Sequence, residues 1–158
     1  MPDLKPPRLD AGERETLQTS LQYQRDSLIR KLTLIDDEAA RRTVVPSGTS
    51  LLWLVKHVRT AETLWMARRF AGEDIELPDD TVQPEDSVHT AITAYRATCQ
   101  HTDAIVAATP SLDARCRGLD DGTVTNLRWV LTHLVEETAR HAGHADIIRE
   151  LLDGSVGR

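Results

Sequence analysis

Residues 126–154 read NLRWVLTHLVEETARHAGHADIIRELLDG, and this stretch decides how the chain folds. Thr125 or Asn126 can cap its start, Gly154 can close it, and no proline interrupts it, so it reads as one long helix running to about Leu152. With residues placed at about 100° each and His141 at zero, Leu127, Val130, Leu134, Ala145, Ile148 and Leu152 all fall within about 40°. They form one core-facing stripe with a histidine in its middle. Glu137, one turn earlier, lies on the same stripe, whereas Glu136, Arg140, Asp146 and Glu150 point away. An ionised carboxylate facing a core is costly unless a cation meets it, so Glu137 predicts a compensating charge.

Three more helices follow from the same kind of reading. Residues 50–70, SLLWLVKHVRTAETLWMARRF, are the most apolar segment and end in two arginines ahead of Gly72. On that helix His57 falls among Trp53, Leu54, Ala61 and Leu64, with Lys56, Arg59 and Thr63 opposite. A first helix is expected to open with a capping box at Asp10 and Glu13, to carry Leu17, Leu21, Leu28, Leu32 and Ile35 inward, and to fray into the loop RRTVVPSGT at 41–49. A third helix is expected over residues 86–109, stopped by Pro110, with Pro84 able to fill a first helical position. The connections at 72–84 and 110–125 are long enough to cover a site, the second with a turn at Asp121 and Gly122. Four amphipathic segments without strand alternation predict an all-α fold, a four-helix bundle forming one domain over residues 1–158.

Composition narrows the function. A net charge of −6 with scattered basic residues argues against nucleic acid, and no apolar run is long enough to span a membrane. MPDLKPPRLD has no signal-peptide character, and Cys99 and Cys116 form no CxxC pair, so a cytoplasmic protein with reduced thiols is expected. Leu52, Val55 and Met66 are left over on the second helix and would cover either the first helix or a homodimer interface.

The inward-facing polar groups are therefore the chemistry to explain. His57 on one helix, with Glu137 and His141 at i and i+4 on another, matches the way bundles hold a divalent metal, and three protein ligands leave a position open. Core histidines held by hydrogen bonds, or a Glu–His ion pair without metal, are the plainer alternatives. His144 and His133 flank the stripe on the side of Glu137 and could line a pocket, whereas His89 and His101 are expected to face solvent.

These residues resemble the DinB and YfiT-like metalloenzyme superfamily, in particular a group close to the mycothiol-dependent S-transferases and maleylpyruvate isomerase. The resemblance rests on SGTSLLWLVKHVRTAETLWMARRFAGED, TAYRATCQHTDAIVAA and NLRWVLTHLVEETARHAGHADIIRELLDG, and it covers nearly the whole chain. It implies a bundle with one divalent metal, zinc or nickel, held by His57, Glu137 and His141; Glu137 stands where many relatives have histidine. It also implies a thiol S-transferase that joins mycothiol to an electrophilic small molecule, with His144 as a candidate for proton transfer. A metal-dependent hydrolase with the same ligands, and a non-catalytic metal-binding protein, are the competing expectations.

Overall fold

Each helix begins where a short polar side chain, or a glycine, can take the cap position. The computed structural model describes residues 4–118 and 123–156. Within them the helices are α1 (Glu13–Lys31), α2 (Asp37–Arg41), α3 (Leu51–Glu62) continued by a π-helical segment (Thr63–Phe70), α4 (Val88–Ala108) and α5 (Leu127–Asp153). Ser50, Ser87 and Asn126 accept from the backbone N–H three residues on, and Gly154 closes α5 at φ 72°. The expected turn at Asp121 and Gly122 lies outside the described residues.

Three boundaries differ from expectation for local reasons. Gly12 takes the cap position of α1, so Glu13 is the first helical residue and cannot reach back as the third residue of a capping box; it pairs instead with Arg128. The chain then leaves α1 through Leu34 at φ 63°, and Asp36 caps the short α2 inside the segment expected to fray. Ser87 and Thr90 form the capping box of α4, which leaves Pro84 in the preceding loop.

Side-chain contacts give the helix directions. Arg128 meets Glu13 at 2.6 Å near the starts of α5 and α1, and Arg149 donates to the Lys31 carbonyl at 2.8 Å near their ends, so these two run parallel. Trp53 lies against His141 and Trp65 against Trp129, so α3 runs antiparallel to α5. Leu52 and Leu54 share a cluster with Ala91 and Tyr95, while Met66 and Phe70 share one with Val106, so α3 and α4 run parallel. A parallel pair cannot be joined by a tight turn. The chain from 71 to 87 must return along the length of α3, and it does: Thr60 donates to the Pro78 carbonyl, and Lys56 reaches the Thr81 carbonyl and Asp86.

This crossover corrects the expected orientation of α3. Lys56 and Thr63, assigned to its outer side, are buried, and so are Leu52, Val55 and Met66, which the chain's own helices cover. The helix has neighbours nearly all round, so its polar residues are not a solvent face. The π segment adds to the error. Ala71 donates to the Met66 carbonyl at 2.9 Å, five residues back, and this wider turn breaks the 100° phase.

The core is split by a polar layer that the sequence reading missed. Arg25 of α1 and Glu62 of α3 are each about 1% exposed, and the guanidinium clasps the carboxylate with Nη2 at 2.5 Å and Nε at 3.3 Å. Asp103 and Gln22 accept from the remaining nitrogen, and Cys99 lies 3.9 Å from Glu62. Burial beside that carboxylate pushes the Cys99 thiol far above its ordinary range, which makes it inert. No helix among the described residues is long and apolar enough to cross a membrane.

Candidate metal centre

α3 and α5 face each other along two ridges with a four-residue period: Trp53, His57, Ala61 and Trp65 on one side, and Trp129, His133, Glu137 and His141 on the other. Because the helices are antiparallel, His57 meets Glu137 and His141 midway along. His57 Nε2 is 3.6 Å from Glu137 Oε1, and His141 Nε2 is 3.1 Å from the same oxygen. One donor atom from each of the three residues lies within 4.8 Å of the others. The three residues read from the sequence thus meet at one place, although at the rim of the core: His57 and Glu137 keep part of their surface and His141 is buried.

The protonation states suit a cation. Burial pushes the Glu137 carboxyl up, but the hydrogen bond from His141 and the nearby His57 outweigh it, and the group titrates below its ordinary range. Burial holds the His141 imidazole below its ordinary range against the opposing pull of Glu137. Two imidazoles and a carboxylate converging through Nε2, Nε2 and Oε1 are a donor set that fits zinc and similar divalent ions, with a coordination position left open.

The rear of His57 shows a residue that sequence reasoning did not single out. Its Nδ1 lies 3.0 Å from Asp80 Oδ2. A carboxylate on the far nitrogen fixes the ring so that Nε2 presents its lone pair inward. The acidic run EDIELPDD at 73–80 read as a solvated loop because nothing local distinguishes Asp80 from its neighbours; the crossover alone carries it past His57. Asp80→Ala is therefore expected to weaken zinc binding about 10- to 100-fold, while Glu85→Ala, exposed in the same loop, leaves it unchanged; calorimetric zinc titration measures both. His141 has no such brace. Its Nδ1 is buried without a hydrogen-bond partner among the described residues, and the ring is placed by edge contacts with Trp53, His57 and His144 at centroid distances of 6.4, 4.9 and 5.4 Å.

The two flanks of the centre differ. Toward the start of α5, Trp65, Trp129 and His133 pack ring to ring at 4.7–5.0 Å, with the Arg69 guanidinium 4.2 Å above Trp65. His133 is thereby occupied between indoles, one helical turn from Glu137. Toward the end of α5, His144 lines an open cavity with Val45, Ser47 and Thr49 of the 42–50 loop. Those loop residues were not expected near the site. His89 and His101 are exposed as expected, the latter paired with Glu73. The described part of the 110–125 connection packs elsewhere, where Arg117 and Gly118 donate to the Arg69 carbonyl beyond the far end of the ridges.

Comparison with known proteins agrees with this architecture. Residues 16–154 match the family described as Mycothiol-S-transferase. The fold is similar to that of a conserved protein from Enterococcus faecalis known from its crystal structure, with a TM-score of 0.61 over 89% of this chain and 97% of that one at 16% identity. No curated protein sequence matches the chain significantly.

Proposed function

We propose that this chain, which belongs to the DinB-like mycothiol-S-transferase family, holds one divalent ion, zinc or nickel, through His57, Glu137 and His141 and transfers a low-molecular-weight thiol, mycothiol, to an electrophilic small molecule. The observation that carries this reading is the convergence of those three donors within 4.8 Å in a chain matched by that family over 139 residues, from 16 to 154. A bound divalent ion would supply the charge that keeps a thiol deprotonated near neutral pH. The chain's own residues do the rest. Asp80 holds the His57 ring in one tautomer, Trp53 stacks on His57 at 4.5 Å and steadies its ring, and the Glu137 carboxylate offsets positive charge. His144, edge-on to His141 and lining the cavity, takes the thiol proton in this reading and returns it where needed.

The reaction balances simply. The thiol loses a proton, sulfur bonds to the electrophilic carbon, and either a leaving group departs with its electron pair or, in an addition, the neighbouring carbon accepts a proton. A compartment that keeps thiols reduced, the cytoplasm, suits both this chemistry and the two free cysteines.

The test is spectroscopic and kinetic. With cobalt in place of zinc, addition of mycothiol is expected to give a sulfur-to-metal charge-transfer band that His57→Ala removes, and turnover of a haloaromatic is expected to need both thiol and metal. Turnover without any thiol would replace this reading with a metal-dependent hydrolase. No band and no turnover would leave a metal-binding protein without catalysis.

A further inference from the structure

The proposed transfer needs a place for its second substrate, and the two flanks of the centre are not equivalent. The Trp65, Trp129 and His133 rings already contact one another. On the opposite flank a cavity of about 180 Å³ lies between the 42–50 loop and the last turns of α5. Its walls are Val45, Ile147 and Ile148, its polar groups are the hydroxyls of Ser47 and Thr49 and the His144 ring, and among the described residues no lysine, arginine or carboxylate lines it. His144 joins it to the centre, because its ring lies 5.4 Å from that of His141.

We infer that this cavity is the subsite for the electrophile, and that it selects a small uncharged apolar group, about the size of one benzene ring, over an anionic one. Resting on the transferase reading, this names the substrate class of that same site. Size supports it, since a cavity of about 150 Å³ lined by apolar side chains accepts benzene. Charge supports it too. A carboxylate placed against Val45, Ile147 and Ile148 would meet no cation among the described residues that line the cavity, so unsaturated diacids are disfavoured and neutral haloaromatics favoured. The two hydroxyls and the imidazole can orient one polar substituent of such a ring, as polar groups do in mostly apolar pockets.

The probe is fluorobenzene, which has the shape of the substrate but does not react, titrated into the full chain with its isoleucine and valine methyl groups labelled for NMR. Saturable shifts are expected at Val45, Ile147 and Ile148, with or without zinc and with no thiol present. Benzoate is expected to bind at least about tenfold more weakly, since its carboxylate gains no partner against the apolar walls. Ile147→Trp, at a position 57% exposed, is expected to fill the cavity, abolish the shifts and raise the KM for a haloaromatic about tenfold or more, with zinc content and the cobalt–thiol band unchanged. Absence of saturable shifts at these methyls, shifts at Ile105 in the cavity near Phe70 instead, or benzoate binding as tightly as fluorobenzene would overturn the assignment. The two readings fail separately: methyl shifts without a cobalt–thiol band would sink the transferase and keep the cavity, and a band without shifts would do the reverse.

Discussion

Glu137→Gln is expected to lower zinc affinity about tenfold or more, whereas Glu136→Gln, one residue away, leaves it unchanged. Only the Glu137 carboxylate lies between the two imidazoles; that of Glu136 is exposed and pairs with Arg140. His57→Ala and His141→Ala are expected to abolish binding, because two donors with an open coordination sphere do not compete with water for the ion. His101→Ala removes an exposed ring paired with Glu73 and is the matched control. Since burial holds His141 below the ordinary imidazole range, protons compete for it only at more acidic pH, and zinc binding is expected to weaken as pH falls rather than as it rises. Calorimetric titration of the metal-stripped protein across pH measures all of these, and equal losses for Glu136→Gln and Glu137→Gln would mean that the donor set is wrong.

Arg25→Ala is expected to destabilise the fold by about 3–5 kcal/mol, because it strands the Glu62 carboxylate in a buried layer. Glu62→Ala should cost a similar amount, since the guanidinium then keeps only Asp103 and Gln22. Replacing both together with apolar residues of similar volume, as in Arg25→Met with Glu62→Leu, is expected to recover most of that loss, since neither buried charge is then left alone. Urea unfolding of the three variants gives the coupling directly. A double variant as unstable as the sum of the single ones would mean that the pair acts separately, through Asp103 and Cys99 rather than through each other.

Why Glu137 was legible in the sequence while Glu62 was not is a matter of phase. α5 is a regular helix with one buried stripe, so a polar residue inside that stripe stands out against Leu134 and Ala145. Arg25 sits in the same way between Leu21 and Leu28, and Glu62 between Val58 and Met66. The periodicity that marks Glu137 on α5 also marks Arg25 on α1. It was not decisive on α3 because that helix is covered by α1, α4, α5 and the crossover, so no exposed face existed to set its phase, and the π segment then changed the turn.

The sequence by itself determined the four long helices, the caps of α5 and the inward position of His57, Glu137 and His141, since local hydrogen bonding and apolar periodicity act within one element. It could not determine direction. Periodicity is the same whether a helix runs up or down, yet the parallel course of α3 and α4 is what draws residues 71–87 back along α3 and sets Asp80 behind His57. The antiparallel course of α3 and α5 brings Trp65 to Trp129, and the short α2 leaves the 42–50 loop against Ile147 and Ile148. The ligands could be read one helix at a time; the brace behind them and the cavity beside them exist only through contacts between segments far apart in the chain.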